Sequence, residues 1–165
     1  MIERTLVLLK PDAVQRGLMG EIITRFERAG LKVVGMKLVW ADEAFAKRHY
    51  REEDIAARHG EAVWKNLLKG ITQGPVLAFV LEGVDAIENV RKMVGKTEPK
   101  SALPGTIRGD YAHVSYAHAD GQGIHIKNLI HASADANDAK LEVGVWFDAK
   151  ELHSYKTVHD VHILE

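Results

Sequence analysis

The chain has 165 residues, 46% hydrophobic and 27% charged, with 22 basic against 23 acidic side chains for a net charge of −1. This composition excludes collagen, coiled coil and wholesale disorder, the length suits one domain over 1–165, and the charge balance argues against nucleic acid as the main ligand. No apolar run approaches the ~20 residues of a membrane-spanning helix, MIERTLVLLKPD is no signal peptide, and the lack of cysteine excludes disulfides and thiol catalysis, so a cytoplasmic address is expected.

Thr5 to Leu9 is a short unbroken apolar run, the pattern of a central strand covered on both faces. Pro11 stops it, because proline cannot donate to a ladder. From Gly20, the residues Ile22, Ile23, Phe26 and Ala29 recur at helical spacing, and Gly30 closes that helix. Val33 to Trp40 reads as a strand with Val34, Met36, Leu38 and Trp40 on one face. Asp42 is placed to N-cap a short helix through Tyr50. Val63, Trp64, Leu67, Leu68 and Ile71 mark a further helix before the Gly74-Pro75 break, with Trp64 on its core stripe. Val76 to Leu81 is a second buried strand, and Val84, Ile87, Val90 and Val94 give a helix ended by Gly95. A last strand is expected at Tyr111 to Tyr116. The order β-α-β-β-α-β is the split βαβ pattern, an α+β, ferredoxin-like, four-stranded antiparallel sheet with helices packed on one face.

The loops carry the chemistry. From Gly95 to Asp110 the chain reads GKTEPKSALPGTIRGD, which has no periodicity and mixes Gly and Pro with hydroxyls and with Lys96, Lys100 and Arg108. Such a segment suits an anion, because Arg can fork two hydrogen bonds onto phosphate oxygens. Gly95-Lys96-Thr97 imitates the end of a P-loop, but Val90 stands where that motif needs Gly, and a helix precedes it where a strand is required. Beyond Arg108, Asp120-Gly121 is a two-residue turn signal between alternating runs. A protruding β-hairpin inserted between Arg108 and Asn128 is therefore expected, either packing on a neighbouring subunit or blocking a contact between subunits. Nine His is a high count, yet no pair has zinc-protease spacing, and no metal site built from protein ligands is expected.

Three stretches together resemble the nucleoside diphosphate kinases. They are ERTLVLLKPDAVQRGLMGEIITRFERAGLKVVGMKL from Glu3 to Leu38, PGTIRGD from Pro104 to Asp110, and NLIHASAD from Asn128 to Asp135, followed by EVGVWF at Glu142 to Phe147. Each is weak alone; their joint occurrence, in order and over nearly the whole chain, is specific. The resemblance implies transfer of the γ-phosphate of a nucleoside triphosphate to a nucleoside diphosphate, by a ping-pong mechanism through a phosphohistidine at His131. It further implies that Lys10 reaches the transferred phosphate and the sugar hydroxyl, that Arg91, Thr97 and Arg108 hold the β- and γ-phosphates, and that Asn128 bonds the 3′-hydroxyl. Tyr50 matches a tyrosine close to the reacting phosphate, Glu142 the carboxylate that orients the imidazole, and Ser133 a hydroxyl beside it. Mg²⁺ bridging phosphate oxygens, ATP as donor and a closed homo-oligomer are implied as well. The residue types agree with that chemistry: a neutral imidazole keeps a nucleophilic lone pair near pH 7, and phosphoryl transfer is mostly positioning and charge stabilisation.

The chain departs from the family pattern in three places. The family's base-stacking aromatic would fall on Val63, beside Trp64. Ala134 stands where an acidic residue is usual, and the spans Tyr50 to Pro75 and Arg108 to Asn128 are longer. The rival from another class is a catalytically silent protein of the same fold that binds nucleic acid; the full set of phosphate-holding residues beside His131 speaks against it.

Overall fold

A computed structural model describes residues 1–164. Its strands are β1 (Ile2–Leu9), β2 (Lys32–Val39), β3 (Val76–Val84) and β4 (Ile130–Ala132), antiparallel throughout in the order β2-β3-β1-β4. The helices are α1 (Pro11–Gln15), α2 (Met19–Arg28), α3 (Glu43–His49), α4 (Glu52–His59), α5 (Glu61–Thr72), α6 (Ala86–Val94), α7 (Ile107–Tyr111), α8 (Tyr116–Gly121) and α9 (Ala136–Trp146). This is the expected ferredoxin-like order. No helix of the described residues is long and apolar enough to cross a membrane.

Unbroken apolar runs in β1 and β3 bury both faces of the sheet, because alternate residues point opposite ways. Val7, Leu9, Leu77, Phe79 and Leu81 meet α2 and α6, where Phe26 and Phe79 pack with ring centroids 6.0 Å apart. Leu6, Leu8, Ala78 and Val80 meet α3, α5 and α9 through Ala46, Trp64 and Trp146. Helices thus cover two faces rather than the single one expected. A fully buried aromatic or aliphatic side chain stabilises by ~1.5–3 kcal/mol, so a rigid sheet edge for the loops rests on these two cores.

Three segments differ from the sequence reading. A bulge between Val33 and Gly35 places Val34 in the second core, while Met36, Leu38 and Trp40 stand exposed, so the four do not share a buried face. Helix α4 was not foreseen because it has no fully buried residue; acidic side chains in its first turn and basic ones in its last complement the helix dipole instead. The largest difference lies at 107–127. No strand forms at Tyr111 to Tyr116, and no hairpin follows. The Thr106 hydroxyl caps α7 by accepting from Gly109 N, and the Ser115 hydroxyl caps α8 by accepting from His118 N. Asp120-Gly121 ends α8 rather than turning a hairpin, and Gly123 takes the left-handed position at φ +62°. The fourth strand is β4, whose three residues are too short for alternation to reveal.

Candidate active site

The end of β1 and the start of β4 are locked together. Lys10 N donates to Leu129 O at 2.8 Å, and the Asp12 carboxylate, in the first turn of α1, accepts from Leu129 N at 3.0 Å. Leu129 is fully buried with φ +70°, a left-handed conformation that a branched residue adopts only when its surroundings impose it. These two bonds impose it, and they turn Asn128 and His131 into one cleft. The role of Asp12 escaped the sequence reading, although Asp12 belongs to the KPD tripeptide.

That cleft has a volume of about 940 Å³. Lys10 Nζ donates to Asn128 Oδ1 at 2.7 Å, and Asn128 Nδ2 donates to Thr97 O at 2.9 Å. Arg108 Nε donates to Asn128 O at 3.1 Å and Nη1 to Gly95 O at 3.0 Å, with Nη2 on Ile130 O. Arg108 therefore braces three converging segments, and its remaining N–H groups are left for the cleft. Burial, reinforced by the Arg108 charge, pushes Lys10 down to about 7, and burial lowers Arg108 to about 10. Two buried cations with so little opposing charge make a site suited to an anion. Arg91, in the last turn of α6, and the exposed Thr97 border the same space, as does Lys96. Val63 faces the cleft, whereas Trp64 is buried and donates its Nε1–H to Tyr50 O at 2.8 Å.

His131 pairs with Leu8 across β4 and β1, and its Nε2 lies 2.9 Å from Glu142 Oε1 on α9. The Ser133 hydroxyl donates to Glu142 Oε2 at 2.6 Å and accepts from Leu6 N at 3.3 Å, which fixes the carboxylate. Burial works to raise the Glu142 carboxyl, but the His131 imidazole beside it, His49 and the Ser133 hydroxyl outweigh burial and hold it at about 2. An ionised carboxylate on Nε2 selects the tautomer whose lone pair is on Nδ1. Tyr50 is buried with its ring centroid 6.5 Å from that of His131, and burial raises its phenol.

His49 was not singled out from the sequence, and nothing in its flanks marks it beyond its place before Tyr50. Its ring meets the His131 ring edge-on with centroids 4.7 Å apart, and neither of its nitrogens has a hydrogen-bond partner among the described residues. Burial, with His131 adding to it, lowers His49 to about 3 and keeps it neutral. His49, His131 and Glu142 bring ligand atoms within 4.8 Å of one another, but the closest pair among them is the imidazole–carboxylate hydrogen bond.

A family model described as nucleoside diphosphate kinase matches residues 3–152. A curated nucleoside diphosphate kinase from Borreliella burgdorferi is 50% identical over 156 residues, covering 94% of this chain and 93% of the relative. One from Pyrococcus furiosus is 47% identical over 154 residues, or 93% and 88% of the two chains. Among solved structures, a transition state mimic of the Borrelia burgdorferi kinase with bound vanadate and ADP is similar with a TM-score of 0.96 at 48% identity, over 98% of this chain and 96% of that one. A halophilic kinase from Halobacterium salinarum in complex with CDP reaches a TM-score of 0.84 at 40% identity, over 100% of each chain.

Proposed function

The chain belongs to the nucleoside diphosphate kinase family, and on that premise we propose that His131 carries the phosphate between two nucleotides. The protein is a phosphotransferase that moves the γ-phosphate of a nucleoside triphosphate to a nucleoside diphosphate. In the first half-reaction His131 Nδ1 attacks the γ-phosphorus, and the bond from that phosphorus to the β–γ bridging oxygen breaks. The departing diphosphate keeps the oxygen and its electron pair. A second diphosphate then attacks the phosphohistidine with a terminal oxygen, and the N–P electron pair returns to Nδ1. No base is needed, because Glu142 holds the imidazole N–H at Nε2, and its charge offsets the positive charge that develops on the ring. Lys10, Arg91, Arg108 and Thr97 supply the charge and donors for the phosphates, Asn128 orients Lys10 and reaches the sugar, and Tyr50 and Ser133 support the reacting ring.

Family members need a divalent cation, which we take to be Mg²⁺. The cleft suits an ion that arrives on the nucleotide: its lining is cationic, with Asp120 the one carboxylate among the lining residues, so phosphate oxygens would be the chief ligands. When bound, it neutralises phosphate charge. ATP as donor and work in the cytoplasm complete the reading, with the 165 residues acting as one domain. Met36, Leu38 and Trp40, exposed along the outer strand β2 and just beyond it, favour assembly with further copies of the chain.

The observation that carries this reading is an imidazole whose Nε2 is tied to a buried carboxylate, facing a cleft that holds two buried cations. Incubation with labelled ATP in the absence of acceptor tests it. The wild type should retain label that chases onto added diphosphate, and His131→Ala should neither label nor turn over. Labelling of His131→Ala at the wild-type level would refute the assignment.

A further inference from the structure

Two cavities reach His131. One is the cleft that Lys10 and Arg108 line. The other, of about 260 Å³, is lined by residues of α3, α4 and α9, and His49, Glu142 and Asp138 are among them. Phosphate relay makes no use of this second opening. Its lining includes Arg48, Arg51 and Arg58, but Arg51 and Arg58 pair with Asp54, and the Arg48 guanidinium lies over the Phe45 ring. Burial, then the charges of Asp135 and Glu142, raise the Asp138 carboxyl, so acidic groups gather where the cavity meets α9.

His49 is the group in this cavity that phosphate relay does not explain. Its side chain is wholly buried, and neither ring nitrogen has a hydrogen-bond partner among the described residues. Folds rarely leave a buried polar group in that state, and a phenylalanine would fill the same space without the cost. The His49 Nδ1 lies 3.9 Å from Glu142 Oε1, and His131 Nε2 lies 2.9 Å from the same oxygen. One ligand atom from each of the three residues falls within 4.8 Å of the other two. Tetrahedral Zn²⁺, with bonds of ~2.0–2.1 Å, holds its ligand atoms roughly 3.3 Å apart. The two distances to Glu142 straddle that value, and a tilt of the His49 ring toward the carboxylate closes the set. Burial keeps His49 neutral and Glu142 is ionised, so neither has a proton to lose before it can ligate.

We propose that His49, His131 and Glu142 form a binding site for Zn²⁺, entered through the second cavity, and that the bound ion silences the relay. Two imidazoles and one carboxylate, with a position left open toward the cavity, are a ligand set that suits this ion. Mg²⁺ prefers oxygen ligands and keeps its waters, so it does not compete. The silencing rests on the functional reading above, in which His131 Nδ1 attacks phosphorus. When Nε2 takes the metal, the proton it carried moves to Nδ1, and the hydrogen bond to Glu142 is exchanged for bonds from both groups to the ion. The three ligands lose no proton in sum, but the lone pair needed for attack has become an N–H. The nucleotide cleft itself is left untouched. The ligands come from α3, β4 and α9, which is why no spacing in the sequence announces them.

Calorimetric titration of the nucleotide-free protein with Zn²⁺ in excess Mg²⁺ tests the site. The wild type should bind one ion per chain. His49→Phe keeps a buried ring and removes both nitrogens, and it should weaken zinc by ~10²-fold or more, since loss of even an outer partner of a ligand costs 10–100-fold. Glu142→Gln should weaken it in the same direction. His59→Ala removes a histidine that lines the cavity outside the ligand set and should leave zinc affinity within roughly twofold. No zinc bound by the wild type, unchanged affinity in His49→Phe and Glu142→Gln, or an equal loss in His59→Ala would overturn the site. Labelled ATP then tests the silencing. At saturating zinc the wild type should form phosphoenzyme at least ~10-fold more slowly than without it, while His49→Phe should label at its own zinc-free rate. Wild-type labelling that ignores bound zinc would overturn the silencing. Failure of the zinc-free wild type to label would overturn the relay itself, a result separate from the calorimetry.

Discussion

Substituting Lys10→Met removes a buried ammonium that the fold holds against its own stability. Burial, with Arg108 nearby, lowers Lys10 from 10.5 to about 7. At 1.36 kcal/mol per unit the shift corresponds to roughly 5 kcal/mol of destabilisation when the side chain is charged in both states. The Nζ bond to Asn128 Oδ1 is lost in the variant, at a cost of about 1–2 kcal/mol. The free variant should thus be more stable than the wild type at pH 6 by about 3 kcal/mol. The sign of the pH dependence is set by proton counts. Below pH 7 folded and unfolded wild type both carry the proton, and the full penalty stands. Between pH 7 and 10.5 the unfolded chain binds a proton that the folded chain does not, so wild-type stability rises with pH. The advantage of Lys10→Met should therefore shrink by about 3 kcal/mol between pH 6 and pH 9, whatever the hydrogen bond contributes. Urea unfolding of both proteins at the two pH values reads this difference, and phosphoenzyme formation by the variant should fall at least ~10²-fold. A variant less stable than wild type at pH 6, or an advantage independent of pH, would refute the reasoning.

Other outcomes follow from the same geometry. Glu142→Gln keeps the shape but loses the ionised acceptor at His131 Nε2, and single-turnover labelling should slow by ~10²-fold with nucleotide affinity little changed. Arg108→Ala should reduce phosphoenzyme formation by an order of magnitude or more and lower unfolding stability by about 3 kcal/mol, because three backbone carbonyls lose a charged donor. Lys96→Ala, at an exposed rim position, should change either quantity little, and equal severity of the two would contradict the phosphate-site map. Acceptor preference, measured as kcat/KM over purine and pyrimidine diphosphates, should span roughly 10²-fold or less, the range that apolar wall residues such as Ile55, Val63 and Leu67 can discriminate. Charged substitutions at Leu38 and Trp40 should lower the mass found by light scattering; an unchanged mass would remove β2 from the assembly contacts.

Much of the frame was legible because burial on both faces leaves unbroken runs at Thr5 to Leu9 and Val76 to Leu81, and α2, α5 and α6 carry apolar positions at helical spacing. The segment 107–127 was not. Its period-two alternation is compatible with strand, but two hydroxyl caps and a short loop make helices of it, and such local bonds compete with any pattern of polarity. Strand β4 escaped for the opposite reason, since its three residues are placed by pairing with Val7 to Leu9 rather than by a signal of their own. Within the site, the motifs lead to Lys10, Arg108, Asn128 and His131. Glu142 owes its burial to α9 packing on β1, which its own neighbours in sequence do not announce. Asp12 and His49 act through backbone geometry and ring packing, and neither leaves a trace in spacing.

The most direct measurement is the position of the phosphate on the isolated phosphoenzyme, read by phosphorus NMR of the intact protein and by mapping of the labelled peptide. With Nε2 bonded to Glu142 and the free lone pair on Nδ1, the label should be a single phosphohistidine at His131 Nδ1 that disappears on addition of a nucleoside diphosphate. Phosphate on Nε2 of His131, on another histidine such as His49 or His125, or on no residue at all while turnover continues, would contradict a relay through this imidazole.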